Sequence, residues 1–107
     1  MNSLSSHVLD TTTGRPAANM ALELTLPNGI KIAGKTNEDG RCKDWGDTVF
    51  DAGIYCMRFK CKAYLEALHG ESFYPFVDIH FEIKENGGHY HVPLLISPLG
   101  FSSYRGS

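Results

Sequence analysis

His89-Tyr90-His91-Val92-Pro93-Leu94-Leu95-Ile96-Ser97-Pro98 runs on through Leu99-Gly100-Phe101-Ser102-Ser103 to Tyr104-Arg105-Gly106-Ser107, where the sequence stops. Successive side chains of a strand point to opposite faces. Tyr90, Val92, Leu94 and Ile96 therefore share one face, and His89 and His91 share the other. One face can pack a core while the other presents imidazoles. A terminal segment is ordinarily frayed and polar. This one keeps a strand pattern nearly to its last residue and then supplies a phenol, a guanidinium, a glycine and a hydroxyl.

The same period of two extends through most of the chain. Leu4, Ser6 and Val8 alternate with Ser5, His7 and Leu9. Thr11 to Pro16 reads as a loop. Leu22, Leu24 and Leu26 form an apolar row, and Pro27-Asn28-Gly29 turns the chain into a return strand over about residues 30–36. Asn37-Glu38-Asp39-Gly40 is a second turn, delivering Arg41 at the head of a short extended piece that ends near Trp45. Residues 46–53 read as polar loop. Residues 54–61 form a strand with Tyr55, Met57 and Phe59 inward. At residues 62–69 the period changes: Tyr64, Leu65 and Leu68 recur at helical spacing, with Gly70 as a stop. Val77, Ile79, Phe81 and Ile83 mark a further strand, and Glu85-Asn86-Gly87-Gly88 turns it into the histidine strand. Seven or eight short strands and one short helix predict an all-β sandwich, a single domain over residues 1–107.

Composition narrows the function classes. The chain has 107 residues, of which 42 % are hydrophobic and 21 % charged, with a formal net charge of -2. That is an ordinary globular balance. A chain of this size has a modest core, so burial at a subunit interface would help it. The lack of a basic stripe argues against nucleic acid. No apolar run approaches the roughly 20 residues that a membrane helix needs, and the first residues lack a signal-peptide pattern. The three cysteines are an odd number. Cys56 and Cys61, if on one strand, would lie about 17 Å apart, too far for a disulfide. Free thiols and a cytoplasmic location are expected.

Five histidines are present. His69 and His80 read as solvated surface residues, and His89 as a structural residue at a hairpin mouth. His7 and His91 differ, since each lies opposite an aliphatic row. A lone histidine there is ordinarily structural, but two of them with Arg41 and a Tyr-Arg-Gly-Ser segment suggest a site. Three chemistries could use the set. His7, His89 and His91 could offer three nitrogens to zinc, although no acid is placed to orient them. A Ser–His nucleophile is weaker, because no G-x-S-x-G elbow occurs. Metal-free acid–base hydrolysis uses the residues most economically: a histidine activates water and an arginine stabilises the oxyanion.

Several separated segments also resemble a known family. They are Leu4-Ser5-Ser6-His7-Val8-Leu9-Asp10 with Gly14-Arg15-Pro16-Ala17, Thr36-Asn37-Glu38-Asp39-Gly40-Arg41, Glu71-Ser72-Phe73-Tyr74-Pro75, Tyr90-His91-Val92-Pro93-Leu94-Leu95 with Ser97-Pro98, and the closing Tyr104-Arg105-Gly106-Ser107. In order, and across the whole chain, they are similar to the 5-hydroxyisourate hydrolases, the enzyme branch of the transthyretin family. Ile96, Leu99 and Phe101 are mild departures.

The resemblance implies a transthyretin-like (prealbumin-like) β-sandwich of two four-stranded sheets with one short α-helix. It also implies a homotetramer, a dimer of dimers with sites at the dimer–dimer interface. The implied reaction is hydrolytic opening of 5-hydroxyisourate to 2-oxo-4-hydroxy-4-carboxy-5-ureidoimidazoline in urate breakdown, with no cofactor and no metal. His7, Arg41 and His91 inherit catalytic roles; His7, Arg41, Tyr104, Arg105, Gly106 and Ser107 inherit substrate contacts. Which histidine is the base stays open at this level. The competing class is a carrier: transthyretin uses the same fold to bind a hormone, so the fold alone does not decide.

Overall fold

The computed structural model describes residues Met1–Ser107. Nine strands and one helix follow in order: β1 (Ser3–Asp10), β2 (Arg15–Pro16), β3 (Ala21–Thr25), β4 (Lys31–Lys35), β5 (Arg41–Cys42), β6 (Gly53–Lys60), α1 (Cys61–His69), β7 (Val77–Ile83), β8 (His89–Ser97) and β9 (Gly100–Ser103). They form two sheets. One runs β4-β3-β6-β7 and the other β2-β1-β8-β9, with β5 also paired to β1. The second sheet thus has five strands by count, against the four expected. The reason is local: β2 pairs with Leu9 and Asp10 while β5 pairs with Ser6 and His7, so the two short strands occupy successive stretches of one β1 edge. The sheet is four strands wide beside β2, where β8 also pairs with β9, and three wide beside β5. The stretch expected to be loop before Ala17 therefore contains a two-residue strand, pinned to β1.

The alternation read from sequence is the core. Leu4 and Val8 of β1, Leu22 and Leu24 of β3, Tyr55, Met57 and Phe59 of β6, and Tyr90, Val92, Leu94 and Ile96 of β8 are all buried. Each fully buried aliphatic or aromatic side chain of this kind contributes about 1.5–3 kcal/mol relative to exposure. Ser6 lies in the same inward row and satisfies its hydroxyl by donating to the Val92 carbonyl oxygen at 2.7 Å. The helix is shorter in its apolar seam than the sequence suggests. Cys61 and Leu65, one turn apart, are its buried residues, whereas Leu68 is exposed. Gly70 ends it in the left-handed conformation at φ 79°, its N–H donating to the Glu66 carbonyl at 3.0 Å. Because Cys61 opens the helix, it does not share a strand with Cys56. All three cysteines are free. No helix is long and apolar enough to cross a membrane.

Two local devices place Arg41. The Asn37 carboxamide oxygen accepts the N–H groups of Asp39 at 2.9 Å and of Arg41 at 3.0 Å. Gly40, at φ 73° and buried, then lets its carbonyl accept the Val8 N–H at 2.8 Å. Beyond the strand, the buried Trp45 indole donates to the Leu4 carbonyl at 3.1 Å. Gly34 of β4 leaves room for that ring, since a Cβ there would lie 2.9 Å from both Trp45 Cζ3 and Cys42 Sγ.

His69 is not the solvated residue expected from sequence. Its side chain is 14 % exposed, and Nε2 lies 2.7 Å from Oδ2 of the wholly buried Asp10. The reason is tertiary: Asp10 ends β1 on the inward row, and its buried Oδ2 takes its partners from the helix. Tyr64 Oη donates to the same oxygen at 3.0 Å, and the Thr12 and Thr13 N–H groups reach Oδ1 at 2.9 and 3.3 Å. Burial pushes the Asp10 pKa upward, but the bonds from His69, Tyr64, Thr12 and Thr13 outweigh it, so the net direction is downward. Next to this charge, burial and the bond to Asp10 push the Tyr64 phenol up to about 12.

A carboxyl with a folded pKa below its unfolded value of about 3.9 adds stability above that value and loses it as pH falls through the folded value. Asp10→Ala should cost about 3 kcal/mol or more, because it strands buried donors. For a domain of this size the melting temperature should fall by more than about 10 °C. Thermal melts from pH 3 to 8 would check both: the gap between wild type and variant should be full near neutrality and shrink toward pH 3.

Candidate active site

The face opposite the core is set by strand register. β1 and β8 are parallel, with Ser3 beside His89, Ser5 beside His91, His7 beside Pro93 and Leu9 beside Leu95. On the other side of β1, His7 pairs with Arg41 of β5. The row Arg41–His7–Pro93 thus lies one step from the row Ser5–His91, and Ser3–His89 is one step further. Three of the residues expected from sequence, His7, Arg41 and His91, are brought together on one outward face.

The imidazoles are held by serines. Ser5 Oγ lies 2.7 Å from His91 Nδ1 and 3.0 Å from His89 Nε2. Ser3 Oγ lies 2.6 Å from His89 Nδ1. The two rings stack with centroids 6.4 Å apart and planes 20° from parallel. His89 is therefore part of the cluster rather than a residue of the turn. A signal for this was present: with β1 and β8 in register, alternate serines of Leu4-Ser5-Ser6 and its neighbour Ser3 must face alternate histidines of His89-Tyr90-His91. The register itself was not readable from sequence.

Burial lowers the His91 pKa below 6.5, and the charge of Arg41, with any charge taken up by His7 or His89, lowers it further; a hydrogen bond with Ser5 opposes them. At neutral pH the His91 ring is uncharged and able to take a proton. Arg41 is exposed on the same face and makes no salt bridge within the chain, so its fork of donors is free for a carbonyl or oxyanion. A cleft of about 520 Å³ is lined by Ser3, Ser5, Arg41, Lys43 and His89. No group of three His, Cys, Asp or Glu side chains is disposed to hold a metal ion. The nitrogens of His89 face serine hydroxyls instead.

The last residues divide. Gly106 N–H donates to the His91 carbonyl at 2.9 Å, and its Cα lies against the His91 and Pro93 rings so closely that a Cβ would collide with the imidazole. Arg105 turns away, its guanidinium 4.3 Å above the Tyr90 ring and one nitrogen 3.3 Å from the His89 carbonyl. Tyr104 is exposed. Tyr104 and Arg105 line a second cleft, of about 490 Å³, together with His91 and the apolar side chains Ile79, Phe81 and Phe101 at the β7 edge, whereas His89 and Arg41 line the first. Ser107 is exposed.

The His91 environment predicts its titration. Followed by NMR, the ring should titrate below 6.5, and Arg41→Ala should move the midpoint upward by removing a neighbouring cation. A wild-type midpoint above 6.5 would contradict this electrostatic account.

Comparison with known proteins agrees with the architecture. The profile of the HIUase/Transthyretin family matches residues 4–106. A probable 5-hydroxyisourate hydrolase of Schizosaccharomyces pombe is 39 % identical over 113 residues, covering 97 % of this chain and 90 % of that protein. The structure of Klebsiella pneumoniae 5-hydroxyisourate hydrolase superposes with a TM-score of 0.87 at 37 % identity, covering 100 % of both chains. Sea bream transthyretin in complex with thyroxine superposes with a TM-score of 0.88 at 26 % identity, covering 97 % of this chain and 94 % of that one. With the profile spanning nearly every residue and the two-sheet frame shared throughout, the chain belongs to the HIUase/transthyretin family.

Proposed function

We propose that this protein is a 5-hydroxyisourate hydrolase, opening the substrate ring to 2-oxo-4-hydroxy-4-carboxy-5-ureidoimidazoline in urate breakdown. The observation that carries the reading is the single outward face on which His91, His7 and an Arg41 without an ion-pair partner meet. A channel suited to an apolar ligand would place neutral, largely aliphatic groups there. Relatives named as 5-hydroxyisourate hydrolases at about 40 % identity support it as well.

The substrate is a small planar heterocycle rich in carbonyl and N–H groups. Arg41 binds a ring carbonyl through its fork of N–H donors. Water attacks the carbonyl carbon beside a ring nitrogen, and His91 takes the proton it releases. Arg41 stabilises the oxyanion of the tetrahedral adduct. His7, across the row from Pro93, protonates the departing nitrogen as the C–N bond breaks. The assignment of base to His91 and acid to His7 rests on the lowered His91 pKa. Gly106 backs the His91 ring, and Tyr104, Arg105 and Ser107 close the site once subunits assemble.

Assembly is part of the reading. Leu9 and Leu95 are half-buried and Pro93 is buried on the outward face beside the histidines. An outward face that was fully solvated would be polar. A homotetramer with sites between dimers accounts for it, and the three free thiols support a reducing, cytoplasmic compartment.

His7→Asn and His91→Asn should each stay folded and lose about 100-fold or more in turnover, the usual worth of a positioned proton-transfer group. Arg41→Lys should also be damaging, because an ammonium does not reproduce the planar fork. Assays on freshly generated 5-hydroxyisourate check all three, and near-normal turnover by folded variants would leave the carrier reading. Treatment with a strong chelator, followed by its removal, should leave the rate unchanged; loss restored by zinc would favour a three-histidine metal site. Light scattering should give four times the chain mass, and a fully active monomer would count against sites shared between subunits.

A further inference from the structure

The serine and histidine side chains on the outward face form an unbroken hydrogen-bonded file. It runs from His91 Nδ1 to Ser5 Oγ at 2.7 Å, from Ser5 Oγ to His89 Nε2 at 3.0 Å, and from His89 Nδ1 to Ser3 Oγ at 2.6 Å. His91 is half-buried at one end, whereas His89 and Ser3 are exposed at the other. A serine hydroxyl has one proton, so Ser5 must donate to one ring nitrogen and accept from the other. With both rings neutral, just two arrangements make all three bonds. In one, His91 Nδ1–H donates to Ser5, Ser5 to His89 Nε2, and His89 Nδ1–H to Ser3, leaving His91 Nε2 bare. In the other every bond is reversed: Ser3 donates to His89 Nδ1, His89 Nε2–H to Ser5, and Ser5 to His91 Nδ1, leaving the proton on Nε2. The tautomer of His91 is locked to the direction of the file.

We propose that Ser5 and His89 are positioning residues that hold His91 with Nε2 bare and carry a proton from its Nδ1 out to solvent during turnover. The inference rests on His91 acting as the base. The first arrangement is the resting one. His91 Nε2 has no hydrogen-bond partner within the chain, and the positive charge of Arg41 acting on the ring favours a lone pair there over an N–H. Lys43 and Arg105 are the other permanent cations close to the file, and His7 on β1 is the remaining titratable group that faces His91.

The protons balance. As the water oxygen bonds to the ring carbon, its O–H bond breaks and the proton joins His91 Nε2. The Nδ1 proton passes to Ser5 Oγ, the Ser5 proton to His89 Nε2, and the His89 Nδ1 proton to Ser3 Oγ, whose own proton goes to bulk water. The file is then reversed and His91 is neutral again. Cleavage of a cyclic amide to a carboxylate and an N–H releases one net proton at neutral pH, so an outlet is needed once per turnover. After product leaves, water returns a proton to Ser3 Oγ, the bonds shift back along the file and the uncovered Nε2 gives up its proton to solvent, so the part of the file is to keep His91 neutral during the step in which substrate covers Nε2.

The test uses the full chain as Ser5→Ala, Ser5→Thr and His89→Ala. His89→Ala should lower kcat about 10–100-fold while KM changes by less than about two-fold, and added imidazole should restore the rate as it fills the vacated place. Ser5→Ala should be slowed as much but gain nothing from imidazole, because the break lies between His91 and the outlet. Ser5→Thr keeps the hydroxyl and should retain most of the rate. Independently of turnover, nitrogen-15 spectra should place the His91 proton on Nδ1 in the wild type and shift it toward Nε2 in Ser5→Ala. Wild-type rates in both alanine variants, or a slowed His89→Ala that imidazole does not restore, would overturn the relay. An unchanged His91 tautomer in Ser5→Ala would overturn the positioning role. A wild-type protein that opens no 5-hydroxyisourate would instead sink the hydrolase reading, leaving the tautomer measurement to decide the file by itself.

Discussion

The parallel pairing of β1 with β8 is the constraint on which the rest depends. Once Leu4, Val8, Tyr90, Val92, Leu94 and Ile96 must be inside, the two-residue period leaves no freedom for their neighbours. Ser3, Ser5 and His7 must face out beside His89, His91 and Pro93. A slip of one residue would bury both histidines of β8 and expose its apolar row. The hydrogen bond from Ser6 to the Val92 carbonyl, inside the core, ties the two strands at the matching level. The hydrophobic core and the placement of the candidate site are therefore consequences of the same register, and a sequence that satisfies one supplies the geometry of the other.

The chain uses histidine in two opposite ways within one sheet's reach. His69 meets a buried carboxylate that it shares with Tyr64, Thr12 and Thr13, and its role is to help satisfy Asp10 where β1 ends. His91 is surrounded by cations and a hydroxyl, and no carboxylate bonds to its ring. Burial and the neighbouring Arg41 both favour the neutral form of the His91 ring. The partners divide the work: His69 is suited to holding the end of β1 against α1, and His91 to accepting a proton near neutral pH.

Much of this was legible in the sequence because it follows from period. The rows of β3, β6, β7 and β8, the helix before Gly70, and the delivery of Arg41 by Asn37-Glu38-Asp39-Gly40 all rest on local rules. So does the outward placement of His7 and His91. What escaped depends on contacts between residues far apart in the chain. His69 reads as surface because nothing near it in sequence announces Asp10, which is 59 positions away. His89 reads as a turn residue because its partners, Ser3 and Ser5, lie 86 and 84 positions earlier. The two-residue strand β2 is below the length at which alternation carries any signal. Leu68 fits the helical spacing, yet α1 touches the sandwich along Cys61 and Leu65.

The sandwich itself does not separate a carrier from an enzyme, since a transthyretin with thyroxine and a 5-hydroxyisourate hydrolase superpose on this chain with nearly the same TM-score, 0.88 and 0.87. The separation comes from the energetics of the outward face. An apolar ligand binds by removing apolar surface from water, and every charge left beside it without a partner costs binding energy. Arg41, which makes no ion pair within the chain, would be such a cost in a carrier. The same group is an advantage only when negative charge develops next to it, as on a carbonyl oxygen under attack by water. An imidazole that burial, and then that cation, bias toward the neutral form can take the proton. Cation and base each create the condition the other needs. Neither arrangement improves the packing of the sandwich, so the face is better explained by a reaction than by the fold that carries it.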